Sequence, residues 1–205
     1  VSVMAAHNEI GVLQPVEEIG RICREAGVWF HSDAAQAVGK VPLDVDRLQV
    51  DLLSMSFHKM YGPKGIGALY VRGRNPRVRL EPLFHGGGHE RGMRSGTLPV
   101  ALIVGAATAL DLCVSEMEVE SVRQRELRDE LWRRLSTSLD GVAVNGHMQQ
   151  RLPGSLNVSF AGVDGEALLA GLTEIAVSSG SACASAEPGP SYVLAALGIP
   201  PPLAR

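Results

Sequence analysis

Three short apolar runs constrain this chain more than any other feature, because each ends in polar residues rather than in a plain turn. Residues 1–4 lead into His7-Asn8-Glu9, residues 28–31 into Ser32-Asp33-Ala34-Ala35-Gln36, and residues 51–56 into Phe57-His58-Lys59. Pro15 opens a helical stretch to about Ala26, where proline suits a first turn, and Gly27 stops it. A further apolar run follows at residues 66–71. Short apolar strands separated by helices predict an α/β fold with a largely parallel sheet. Ligands of such sheets gather at the carboxyl ends of the strands. Three consecutive polar strand ends therefore predict one convergent site.

Farther along, residues 84–97 form a loop rich in Gly and Arg, and a helical pattern then runs from about Pro99 to Leu139. The second half of that helix carries Glu116, Glu118, Glu120, Arg123, Arg125 and Glu126, as a solvated face does. Asp140-Gly141 marks a turn. The remainder reads as strands at 142–145, 155–160 and 175–178, with helices at 165–172 and 192–197 and a loop around Cys183. A domain change is expected inside the long helix, with residues 1–110 as part of a large domain and 111–205 as the connecting helix and part of a smaller one.

A formal net charge of -3 on 205 residues gives no electrostatic case for a nucleic-acid partner. No apolar run reads as approaching the roughly 20 residues needed to cross a bilayer, so no membrane partner is expected. The opening Val1-Ser2-Val3-Met4 has no charged region before an apolar stretch and reads as a strand entered partway, so a part of a longer protein is expected. The three cysteines, Cys23, Cys113 and Cys183, are odd in number and far apart, which argues against a disulfide framework. Cys23 and Cys113 lie in helical patterns and read as small buried hydrophobes. Cys183 differs: small residues, Gly and Pro surround it, as in an exposed loop. His85 and His89 flank three glycines, which forbid the helix that would make such a pair a good metal site. No metal is expected.

Lys59 is the centre of the chemistry. A lysine at a strand end, next to His58 and followed by Tyr61-Gly62-Pro63-Lys64-Gly65, is placed to point into a crevice. An ordinary lysine, with a pKa of about 10.4, is a poor nucleophile at neutral pH. Partial burial and nearby positive charge would permit imine formation with an aldehyde. Pyridoxal 5'-phosphate (PLP) needs such a lysine, and a carboxylate to keep its ring nitrogen protonated. Asp33, at the end of an apolar strand, is the natural carboxylate; a helix N-cap is the plainer role for it, as a surface lysine is for Lys59. Lys64 lies in a turn and is expected to be exposed.

The segments Asn8-Glu9-Ile10-Gly11, His31-Ser32-Asp33-Ala34-Ala35-Gln36, Ser56-Phe57-His58-Lys59, Arg91-Gly92-Met93-Arg94-Ser95-Gly96-Thr97 and the run ending Ser-Gly-Ser-Ala-Cys183 resemble the cysteine desulfurases that supply sulfur for iron–sulfur clusters. The resemblance implies aminotransferase fold type I, with the largely parallel sheet of the PLP domain followed by a partial smaller α/β domain. It implies PLP as cofactor, L-cysteine as substrate, a homodimer, and an iron–sulfur scaffold or other sulfur-acceptor protein near Cys183. By the same resemblance Lys59 is the Schiff-base lysine and Asp33 pairs with the pyridinium nitrogen. Asn8 and Gln36 contact the phenolic oxygen side of the ring, while Ser56 and His58 reach the phosphate. Thr97 contacts the phosphate of the neighbouring subunit's cofactor, and Cys183 receives the sulfur as a persulfide. Cytoplasmic placement is expected, with the mitochondrial matrix as the alternative. A selenocysteine lyase or other class-V PLP enzyme would share Lys59 and Asp33, and a truncated, non-catalytic remnant is the other alternative; the setting of Cys183 favours desulfurization over transamination. Phe57 and His7 depart from the pattern, standing where glycine and asparagine are common.

Overall fold

The computed structural model describes residues 1–175, 191–200 and 203. Two compact units are present: one of Val1–Ala6 with Gln14–Glu120, the other of His7–Leu13 with Ser121–Arg205.

In the first unit, β1 (Ser2–Met4), β2 (His31–Asp33), β3 (Leu52–Ser56) and β4 (Gly67–Val71) form one sheet in that order. The first three strands are parallel, with Met4 opposite Asp33 and Asp33 opposite Ser54. β4 instead runs antiparallel to β3. The segment between them is too short for the crossover that a parallel partner requires, roughly a dozen residues or more. α1 (Val16–Glu25) joins β1 to β2. Glu17 and Glu18 stand in its first turn and Arg24 in its last, the order that suits the helix dipole. Gly27 follows with φ +65°, the left-handed conformation that ends a helix cheaply in glycine. Gly20 lets α1 press on the loop ahead of β3, where a Cβ would fall 2.0 Å from the Leu48 carbonyl oxygen.

Under the sheet a buried ionic knot fixes the same loop. Asp51 accepts from the Phe30 amide at 2.9 Å and from Arg24 at 3.2 Å. The buried Arg72 donates to the Val50 and Val45 carbonyls at 2.9 and 2.7 Å and to Asp46 at 2.7 Å. These contacts satisfy charges that would be costly alone.

α2 (Val100–Ser138) begins in the first unit and ends in the second. Its Ala106, Leu110 and Cys113 pack on Phe57, Met60, Val38 and Met55. Val100, Val104, Leu112, Val114 and Val119 remain exposed. By length and composition α2 holds a stretch apolar enough to cross a membrane, with mean hydropathy 1.7 over 18 residues. The expectation that no run approaches such a length is corrected. Alanine, glycine and threonine dilute the apolar pattern in the sequence, while Asp111 and Glu116 still interrupt it. Core helices of other proteins pass the same measure.

The second unit holds β5 (Val142–Val144) paired antiparallel with β6 (Val158–Phe160), followed by α3 (Gly165–Gly171) and α4 (Tyr192–Ala196). Residues 7–13 belong to it through backbone bonds from Leu13 to Gln150 and from Leu152 to Gly11, both 2.9 Å. Ile10 packs with Val193 and Leu194. Arg151, almost fully buried, donates to the carbonyls of His147 at 2.8 Å and Asn145 at 2.7 Å, which ties the 145–155 loop. The strand expected at 175–178 falls almost wholly outside the described residues.

Candidate active site

β2 and β3 are adjacent and parallel, so their carboxyl ends emerge together. Asp33 closes β2 and Ser56 closes β3, with His58 and Lys59 in the single 3-10 turn that follows. Of the expected site residues, Asp33, Gln36, Ser56, His58 and Lys59 thus come to one end of one sheet. Asn8 lies in the second unit, at the tip of a tight turn closed by bonds from His7 to Val12 at 2.8 Å and from Gly11 to His7 at 3.0 Å. Gly11 has φ +71°, and a Cβ there would meet the Ser155 hydroxyl at 2.3 Å, so only glycine fits that turn. Thr97 ends the glycine-rich loop in the first unit. Cys183 lies outside the described residues.

Asp33 is exposed, and its Oδ1 accepts the Ala35 amide at 2.9 Å. No helix follows Asp33, so it is not a helix N-cap; it caps a turn instead, which uses one carboxylate oxygen. Oδ2 has no partner among the described residues. Ser56 Oγ and His58 Nδ1 are 2.9 Å apart, which turns Nε2 away from the strand. Between them Phe57 points the other way, into the core with Met60 and Ala106. Its bulk fills the core.

Beneath Asp33 runs a polar row that the sequence reading missed. His31 bridges three strands: Nδ1 meets Ser2 Oγ at 2.7 Å and Nε2 meets Ser54 Oγ at 3.2 Å. His31 and Asp33 share one face of β2, because alternate residues of a strand do. The i, i+2 spacing of His31 and Asp33 was the available signal.

Lys59 is exposed, not partly buried as expected. The nearby positive charge is present, and it is Lys40. Burial and then the charge of Lys59 lower the Lys40 pKa below the ordinary lysine value. Lys40 Nζ donates to Gln36 Oε1 at 3.2 Å. Lys64 is exposed, as expected.

Loop 84–97 closes on itself. Ser95 Oγ accepts the Gly88 amide, and His89 Nδ1 accepts the Gly96 amide, each at 3.3 Å. A Cβ on Gly87 would fall 2.8 Å from the His89 ring, so the glycine seats that ring. Among the described residues no group of three or more His, Cys, Asp and Glu side chains could hold a metal. Cys23 is buried. Cys113 is partly buried; its thiol donates to the Met60 carbonyl at 3.4 Å, and burial followed by Glu116 raises its pKa. A thiol held neutral in this way is a poor nucleophile.

The donor set suits PLP: a carboxylate with one uncommitted oxygen, an exposed amine on the adjacent strand end, and hydroxyl and imidazole groups for a phosphate.

Comparison with known proteins covers almost the whole chain. Aminotransferase class-V matches residues 1–198. Cysteine desulfurase IscS of Rickettsia bellii is 56% identical over 205 residues, covering 100% of this chain and 50% of the relative. The mitochondrial cysteine desulfurase of Arabidopsis thaliana is 59% identical, covering 97% of this chain and 44% of the relative. The chain thus spans about half the length of the curated relatives it matches. Among solved structures, a NifS-like protein of Rickettsia africae superposes with TM-score 0.87 at 30% identity, covering 100% of this chain and 53% of that one. SspA in complex with cysteine gives 0.77 at 37% identity, covering 100% and 56%.

Proposed function

The chain belongs to the class-V aminotransferase family, and from that premise we propose that it carries the cofactor-lysine part of a PLP-dependent cysteine desulfurase. The observation that carries this reading is the meeting of Asp33, Ser56, His58 and Lys59 at the shared end of β2 and β3. The enzymes named as relatives are cysteine desulfurases, and one similar structure holds cysteine.

In this reading Lys59 attaches the cofactor, Asp33 Oδ2 holds the proton on its ring nitrogen, and Gln36 and Asn8 contact its phenolic oxygen side. Ser56 and His58 take its phosphate, and Thr97 takes the phosphate of the cofactor in a second subunit. When bound, PLP supplies an electron sink that stabilises negative charge at the substrate Cα. The Lys59 amine would move the proton at that Cα as a general base. His58, held by Ser56, is the residue before Lys59 and is assigned with Lys59 and Cys183 to the catalytic group. Cys183, as thiolate, would attack the sulfur of L-cysteine; the carbon–sulfur bond would break with its electron pair left on the substrate carbon, which takes up a proton, and the sulfur would stay on Cys183 as a persulfide. L-Alanine is the second product. The persulfide would pass to an acceptor protein of iron–sulfur assembly.

Residues 1–110 then form part of the large cofactor domain, and residues 111–205 the connecting helix with part of the smaller domain. The working compartment is the cytoplasm or, as in the Arabidopsis relative, the mitochondrion. Alanine formation from L-cysteine and PLP tests the reading, both in this chain and in a chimaera completed with the rest of the Rickettsia bellii relative. No alanine from either form overturns it.

A further inference from the structure

Gln36 and Lys40 stand four residues apart in the turn after β2, and Lys40 Nζ donates to Gln36 Oε1 at 3.2 Å. A lysine ammonium has only donors, so the oxygen of the Gln36 amide must face it. The amide nitrogen, with its two N–H groups, is then the end of Gln36 left for any other group. That orientation is otherwise ambiguous for a glutamine, since both ends of the amide have nearly the same shape.

The position of Lys40 is set by packing. Gly39 has φ +75°, and a Cβ on it would lie 2.9 Å from Cys113 Cβ on α2. Only glycine brings the turn this close to the helix, and the next residue is Lys40. Its ammonium faces Lys59 from the turn after β3 and Cys113 from α2, with Glu116 acting on Cys113 in turn.

We propose that Lys40 is a positioning residue: by holding the Gln36 oxygen it presents the Gln36 N–H groups to the phenolic oxygen of the ring, which favours the phenolate over the protonated phenol. The inference rests on the reading of the site as a PLP site, and it names the charge state of the phenolic oxygen that this side favours. An amide aimed the other way would set oxygen against oxygen.

The test has two arms. In the cofactor-free chain the Gln36 side-chain amide signal is followed by NMR against pH. It should titrate with Lys40, below the ordinary lysine range, and should stop titrating in K40M. A signal indifferent to pH in the wild type, or titrating equally in K40M, overturns the proposal. In the chimaera, PLP affinity is measured for wild type, K40M, K40R, Q36L and K40M/Q36L. Losing a charge-assisted hydrogen bond predicts about tenfold weaker binding for K40M, partial recovery for K40R, and no added loss when K40M is made in Q36L. Unchanged affinity in K40M, or the same loss in the Q36L background, overturns the proposal. If the wild-type chimaera binds no PLP, the functional reading fails instead, while the NMR arm still reports on Lys40 and Gln36.

Discussion

The Ser56 hydroxyl and His58 Nδ1 lie 2.9 Å apart, on either side of a phenylalanine buried in the core. One strand end thus faces two ways at once. Phe57 anchors it, and the anchored backbone puts serine and histidine on the ligand side. Removing the hydroxyl leaves His58 free to rotate. S56A is expected to weaken PLP binding about fivefold, the effect of one hydrogen bond of ~1 kcal/mol, with unchanged thermal unfolding. Fluorescence titration of PLP against both proteins measures it; equal affinity would sink the phosphate role of this pair.

Lys59→Ala should abolish the visible absorbance of lysine-bound PLP in the completed chimaera. Cys183→Ser should keep that absorbance and lose persulfide, read by mass spectrometry after alkylation. The two variants separate cofactor attachment from sulfur capture. Persulfide formed normally by Cys183→Ser would remove Cys183 from the mechanism.

Phe57 is 8% exposed and packs on Met60 and Ala106. F57G removes the whole ring and empties the core, so it should cost about 3–5 kcal/mol of stability, as other large core truncations do. PLP affinity should not improve. Urea unfolding monitored by circular dichroism decides, and a neutral F57G would mean that the ring is not needed for packing.

Glu130 accepts from Arg133 and Arg134, each at 2.7 Å, and the two guanidiniums lower its pKa from 4.5 to about 2. A carboxyl whose pKa falls on folding stabilises the folded state above about 4.5, and that contribution is lost as pH falls through about 2. Arg133 and Arg134 are exposed and Glu130 is half-exposed, so the effect is small and screened by salt. NMR titration of the Glu130 carboxyl should give a midpoint near 2 at low salt, rising toward the ordinary glutamate value in R133A/R134A. A midpoint unmoved by those substitutions would discount the pair.

Asp51 is 3% exposed and is shared by the Phe30 amide and Arg24, with Arg72 at 3.7 Å. Asp51→Ala leaves buried Arg72 short of a counter-charge and should cost about 3–5 kcal/mol. Chemical denaturation measures it, and a loss below ~1 kcal/mol would show that water or Asp46 compensates.

The sequence by itself determined what depends on near neighbours. Apolar runs ending in Asp33 and Lys59 marked adjacent strand ends, because strand period and polar termini are local signals. Pro15 and Gly27 marked the limits of α1, since each fixes or frees its own backbone. The alternation of short strands with helices already read as α/β. Tertiary structure decided the rest. β4 turned antiparallel because its connection to β3 is short, and residues 7–13 joined the second unit through partners at 150–152, far along the chain. Which way Phe57 points, whether Lys59 is covered, and which end of the Gln36 amide is left for a ligand all depend on packing between segments. Those contacts form only when distant residues meet, and no local period encodes them.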